Sequence, residues 1–230
     1  MSGPDTSHAL EQFRKLLGEA WTDLSRGQLE RIVRFYGLVL SENERQNLTR
    51  LTSPRDFLEG HVLDVRALLR SGLISFPAMD LGSGPGVPGL LAAILSSKNP
   101  WVLAESEGRK AEFLKTAADL LELDHVIVFQ GRGEDYLKEN IVSSVVARAV
   151  GPVERIFGWV RNCSTWNNLV LLKGPGWDEE WKIFGQSKYA SELQIDMEYN
   201  YLTGEPPKRL RIVKLVRPPE PSRQKERPKD

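Results

Sequence analysis

Residues Asp80 to Gly89 read DLGSGPGVPG. Four glycines and two prolines separate a short apolar run starting at Ala78 from a second one, LLAAIL, at Leu90 to Leu95. A strand, a tight loop and a helix fit this order. In such a unit the loop lies at the carboxyl edge of a sheet, where helix amides face whatever binds there. Gly82, Gly84 and Gly86 permit positive backbone torsions and let a ligand approach the main chain, and Pro88 opens the helix without wasting a donor.

Outward from this loop, short apolar runs alternate with helical segments, the pattern of a parallel sheet wrapped by helices. Strands are predicted at Ala78 to Leu81, Trp101 to Glu105, Val126 to Phe129, Val142 to Ala147 and Leu169 to Leu172. Helices are predicted at Pro88 to Ser97, Arg109 to Leu123, Asp135 to Glu139, Val153 to Cys163 and Asp178 to Phe184. LQIDMEYNYL and KRLRIVKLV, joined by the turn-forming TGEPP, read as a terminal antiparallel pair, the lysine- and arginine-rich segment as a guarded edge. Residues 73–217 are therefore expected to form the main domain.

Residues 1–72 read as a helical extension. Leu10, Phe13 and Leu17, then Leu29, Ile32, Tyr36 and Val39, recur at helical spacing, with a break near Gly27. A third helix starts at SPRD, with Ser53 as cap, Pro54 first and Asp56 in the first turn, and carries a stripe of Leu58, Val62, Val65 and Leu69. His61 and Asp64 share one face of it and are expected to pair as a hinge to the main domain, His61 as a satisfied buried histidine. Residues 218–230 form a proline- and charge-rich tail expected to be disordered.

The loop suits two cofactor classes. GPGVPG matches GxGxxG and allows a nicotinamide or flavin nucleotide, whereas DLGSGPG better suits an adenosine bearing an amino acid. Glu105 ends the second strand roughly 20 residues after the glycines, where an acid accepts from ribose hydroxyls. GRGED, Gly131 to Asp135, follows the third strand at the same edge and could meet the adenine. Arg148, in ARAV at the end of the fourth strand, is expected to face the reaction cavity.

Composition narrows the classes further. The chain has 230 residues, 31 basic and 31 acidic side chains and no net charge, so no global field favours a polyanion. Between Gly204 and Asp230, however, nine basic residues face four acidic ones. Cys163 is the one cysteine and the three histidines are far apart in sequence, which excludes a disulfide framework and predicts no metal. No apolar run reaches the roughly 18 residues that span a bilayer, and a cytoplasmic protein without membrane contact is expected.

Seven segments together resemble the bacterial RsmG family, also called GidB: NLT (Asn47 to Thr49), HVLD (His61 to Asp64), DLGSGPGVPG, ESEGRKAEFL (Glu105 to Leu114), GRGE (Gly131 to Glu134), ARAV (Ala147 to Val150) and LLKG (Leu171 to Gly174). Gly60, Val65, Arg109 and Ser144 stand where that family favours other residues. The resemblance implies an α/β, Rossmann-like class I S-adenosylmethionine-dependent methyltransferase with a seven-stranded sheet, its last strand antiparallel, behind the N-terminal helical extension. It implies methylation of guanine N7 in small-subunit (16S) ribosomal RNA, with S-adenosyl-L-homocysteine as product. Cofactor contacts then fall on Gly82, Gly84, Val87, Gly133, Glu134 and Arg148, with Glu105 on the ribose. Arg109, Lys110 and Lys173, with Arg50, Arg55 and the C-terminal basic segment, are candidate RNA contacts. A positioning mechanism with no catalytic acid or base, and a monomer, are expected; the other readings are a nucleotide-dependent oxidoreductase and a non-catalytic RNA-binding assembly factor on the same fold.

Overall fold

The protein is described by a computed structural model over residues 4–96 and 98–219. Four helical segments precede the first strand: α1 (Pro4–Ala20), α2 (Arg26–Asn43), α3 (Pro54–Phe57) and α4 (Leu63–Ser71), the last two joined by a π-helical turn at Leu58–Val62. Ser25 and Gln28 cap α2 reciprocally, so the break falls just before Arg26 and Gly27 lies inside the first turn. Ser53 caps α3 by accepting from the Asp56 amide, with Pro54 first, as the sequence predicts. The π-turn interrupts the expected continuous helix, yet Leu58, Val62 and Val65 are all buried.

Strands and helices then alternate: β1 (Ala78–Leu81), α5 (Gly89–Leu95), β2 (Trp101–Glu105), α6 (Gly108–Leu120), β3 (Val126–Gln130), α7 (Gly133–Glu139), β4 (Ser144–Arg148), α8 (Val153–Val160), β5 (Asn168–Lys173) and α9 (Trp177–Phe184). The pair β6 (Gln194–Thr203) and β7 (Lys208–Val216) closes the fold. The sheet order is β3-β2-β1-β4-β5-β7-β6. β1 to β5 pair in parallel, and β7 runs antiparallel to both β5 and β6.

Three expectations need correction. The basic segment is not the edge: β7 inserts between β5 and β6, and its inner residues Ile212, Val213 and Leu215 are fully buried. Alternating apolar side chains there can bury both faces, a demand the charges between them conceal. β4 starts at Ser144 rather than Val142 and retains Arg148 as its last residue. α5 starts at Gly89 and ends at Leu95; Ser97, the expected end, lies outside the described residues, as does the tail from residue 220.

The inner strands of the sheet are buried on both faces. One core joins Ala78, Trp101, Leu103, Val146, Val170 and Ile212 to α1–α6, and the other joins Met79, Leu81, Val145, Leu169 and Leu171 to α7–α9. The extension thus supplies part of one core. At its centre Phe57 packs at 4.7 Å from Tyr36 and 5.6 Å from Phe13, ring centre to ring centre. Truncating such a side chain removes apolar burial and leaves a cavity. Phe57→Ala is expected to cost about 3–5 kcal/mol in urea unfolding, with the sheet and the extension still melting in one transition.

Candidate active site at the carboxyl edge of the sheet

Parallel pairing aligns the ends of β1 to β5, so the sequence-predicted residues gather along one edge. Leu81, paired with Ala104, leads into the glycine loop; Glu105, paired with Gln130, ends β2; Arg148, paired with Leu172, ends β4; Lys173 ends β5. Gly133 and Glu134 open α7 just beyond β3. These segments lie well apart in sequence, yet each reaches the same edge.

The loop can be accounted for amide by amide. Gly82 and Ser83 donate to Ala104 O (2.9 and 3.3 Å), and Gly86 and Val87 donate to Ser83 O (2.8 and 3.3 Å). Gly84 donates to Glu105 Oε2 (2.9 Å) and Gly89 to Asp80 Oδ2 (2.8 Å). Pro85 and Pro88 have no amide to give. Every main-chain donor from Gly82 to Gly89 therefore has a partner within the protein, and none is left to cradle a phosphate.

The glycines divide by what surrounds them. A Cβ on Gly82 (φ +73°) would stand 2.9 Å from Val150 Cγ1, so that side is filled by protein. A Cβ on Gly84 (φ +51°) would meet only Gly82 O, at 3.9 Å. Beside that open position, Glu105 is held by two amides, Glu107 N on Oε1 (2.8 Å) and Gly84 N on Oε2. Each carboxylate oxygen keeps a second lone pair for a hydroxyl. Asp80 anchors the loop from beneath, and its complete burial pushes its carboxyl up to about 7 despite the bond from Gly89. The sequence marks Asp80 only as the start of the motif; its role needs the fold of the loop onto α5.

Arg148 lines a cleft at the ends of β4 and β5, but its guanidinium is turned toward the helical extension. It donates to His61 Nδ1 (2.8 Å) and to Gly60 O and is 3.0 Å from Asp64 Oδ2. His61 Nδ1 accepts, so Nε2 carries the proton and donates to Thr49 Oγ1 (3.0 Å). Tyr201 on β6 donates to Asp64 Oδ1 (2.8 Å). His61 and Asp64 thus do not pair with each other as expected; both hold Arg148. Sequence reading missed Tyr201, which no motif marks.

Burial and the neighbouring Arg148 cation push the His61 imidazole down to about 3. Burial pushes the Asp64 carboxyl up, against the lowering effects of Arg148 and the Tyr201 hydroxyl. The basic candidates separate. Lys173 lies in the cleft with Arg148, whereas Arg109 lines a groove of about 460 Å³ between α2 and α6. Lys110 pairs with Glu107 (2.6 Å), and Arg55 pairs with Glu59 and Glu205. Among the described residues no three His, Cys, Asp or Glu side chains converge as metal ligands, and no helix is long and apolar enough to cross a membrane.

A depressed histidine pKa stabilises the fold above pH 6.5, its ordinary value, and that stability is lost as pH falls toward about 3. The slope approaches about 1.4 kcal/mol per pH unit. Asp80 has the opposite sign over much of this range, so the total is not diagnostic. The difference is: the gap in melting temperature between wild type and His61→Gln is expected to narrow steadily from pH 7 to pH 4.5.

Comparison with known proteins agrees with this architecture. The family model described as rRNA small subunit methyltransferase G matches residues 28–205. Ribosomal RNA small subunit methyltransferase G of Idiomarina loihiensis is 34% identical over 190 residues, 81% of this chain and 91% of its own. The protein of the same name from Klebsiella pneumoniae (strain ATCC 700721 / MGH 78578) is 29% identical over 85% of this chain and 94% of its own. Among solved structures, the O-methyltransferase from Bacillus cereus in complex with SAH superposes with a TM-score of 0.56 at 14% identity, over 90% of this chain and all of that one. That likeness establishes the class I methyltransferase fold. With the family model spanning most of the chain and relatives matched over nearly their full length, this chain belongs to the rRNA small subunit methyltransferase G family.

Proposed function

We propose that the protein transfers a methyl group from S-adenosyl-L-methionine to N7 of a guanine in small-subunit (16S) ribosomal RNA, by direct in-line attack, in the cytoplasm. Family membership supports methylation of ribosomal RNA. The observation that carries the choice of cofactor is the fully committed set of loop amides. A dinucleotide fingerprint works by offering free amides to a pyrophosphate; this loop offers none, which favours a ligand without phosphate over the oxidoreductase reading. The open side of Gly84 gives such a ligand room.

The cofactor, when bound, supplies a methyl group on a positively charged sulfur. Gly82, Gly84 and Val87 would line its place, Glu105 would accept from the ribose, and Gly133 and Glu134 would meet the adenine. Arg148, braced by His61, Asp64 and Gly60 O, is a positioning residue: its bonds fix where the ends of β4 and the extension meet. Guanine N7 carries a lone pair on the major-groove edge and no proton. The chain then needs no general base. Its work is alignment and exclusion of water, which can supply about 7–11 kcal/mol of the barrier.

In a duplex the narrow major groove hides N7, so the target guanine is expected in a loop or an opened helix. Phosphate contacts by Arg109 and Lys110 would make binding salt-dependent, whereas Lys173, the third basic candidate, is 9% exposed and held by Glu180.

Calorimetry tests the first step: S-adenosyl-L-homocysteine is expected to bind and NAD to give no heat, the reverse outcome reinstating the oxidoreductase. Incubation with small-subunit RNA from a strain lacking the methylation, mapped by mass spectrometry, is expected to yield 7-methylguanosine at one position. No transfer despite binding would favour the non-catalytic assembly factor. Gly84→Ala places a methyl group in open space at a strain of about 1–2 kcal/mol. It is expected to fold while losing about tenfold or more in S-adenosyl-L-homocysteine affinity, whereas Gly82→Ala is expected to lower the melting temperature.

A further inference from the structure

Guanine and adenine both present N7 as an acceptor on the same edge. An aligned methyl donor therefore cannot choose between them at the reacting atom, and selectivity has to be read at other groups: position 6 beside N7, or N1 and the 2-amino group on the far side of the ring. The strand order reverses between β1 and β4, which divides the carboxyl edge into two halves. The glycine loop and Glu105 occupy one half. The other half holds a cleft of about 420 Å³ over the ends of β4 and β5, walled by Glu180 of α9 and by Tyr201 and Leu210 of the β6–β7 pair. That size falls in the range of small-ligand sites, about 300–1,000 Å³.

The polar groups in the cleft are almost all occupied. Asp64 is held through Oδ1 by Tyr201 and lies against Arg148 through Oδ2. The Lys173 side chain is 9% exposed, and its ammonium donates to Glu180 Oε1 (2.7 Å) and Gly151 O (3.2 Å) and rests 5.7 Å from the Trp177 ring centre. The Val153 amide also donates to Glu180 Oε1 (2.6 Å). Both contacts with the Glu180 carboxylate thus fall on Oε1, and among the described residues Oε2 is the acceptor left over. Lys173 Nζ and Val153 N fix its orientation through Oε1.

We propose that this cleft receives the target base and that Glu180 Oε2 reads guanine by accepting from its 2-amino group, with N1–H alongside. Adenine has no 2-amino group and turns a lone pair at N1 toward the carboxylate, so it is repelled. Lys173 acts through Glu180, as a positioning residue. The assignment rests on the guanine-N7 reading above.

The test uses the full chain and a short RNA containing the mapped target. Replacing the target guanosine by inosine removes the 2-amino group and leaves N7, O6 and N1–H. A hydrogen bond to a charged group is worth enough that kcat/KM for wild type is expected to fall about 10- to 100-fold on inosine. Glu180→Gln, which can still accept from Lys173 and Val153, is expected to lose rate on guanosine and to bring the guanosine-to-inosine ratio to within about threefold of one. Tyr201→Phe, in the same cleft, is expected to preserve the wild-type ratio. Equal rates on the two RNAs with wild type, or an unchanged ratio in Glu180→Gln, would overturn the assignment, and the wild-type comparison decides it even if the variant does not fold. If S-adenosyl-L-homocysteine binds but no RNA gains 7-methylguanosine, the underlying reading fails and takes this assignment with it.

Discussion

A guanidinium largely withdrawn from water at a strand terminus needs acceptors, and much of the architecture follows from meeting that need at Arg148. The end of β4 does not supply them. They come from a segment more than eighty residues away: Gly60 O, His61 Nδ1 and the Asp64 carboxylate. The π-turn at Leu58–Val62 carries the first two. Removing one partner from such a cluster leaves a buried charge uncompensated, which is far more costly than the pair itself is stabilising. The helical extension is therefore fastened to the site electrostatically as well as through the core around Phe57.

The same arrangement reaches the far end of the chain. Tyr201 on β6 holds Asp64, and Thr203 donates to Glu59 O (2.8 Å). Extension, β4 and the C-terminal hairpin thus meet at one place, beside the cleft where the substrate base is assigned. A cleft walled by three parts of the chain can be shaped by each, while the half of the edge proposed for the methyl donor is built mainly by β1 to β3 and their loops, with Val150 packed against Gly82. This separation explains how one fold can keep a common cofactor half and vary what it acts upon.

Rigidity in the glycine loop comes from saturation. Loops rich in glycine are free in the unfolded chain, and the cost of ordering them is high. Here six amides find partners, two prolines have none to place, and Asp80 ties the turn to the start of α5. The result is a loop whose shape is set before any ligand arrives, with one open side at Gly84.

Much of this was legible in the chain. The alternation of apolar runs gave the order of strands and helices to within a few residues, because burial on both faces forces continuous apolar segments. DLGSGPGVPG marked the candidate site, because few other structures require so many glycines after a strand, and Ser53 with Pro54 located a helix start by local capping chemistry alone. What could not be read was any relation between distant segments. That β7 lies inside the sheet, that His61 and Asp64 turn to Arg148 instead of each other, that the loop's amides are all satisfied, and that Glu180 and Tyr201 border the cleft are facts of pairing in space. Sequence spacing constrains groups within a turn or a strand; which acceptor meets a buried cation across eighty residues is decided only when the layers pack.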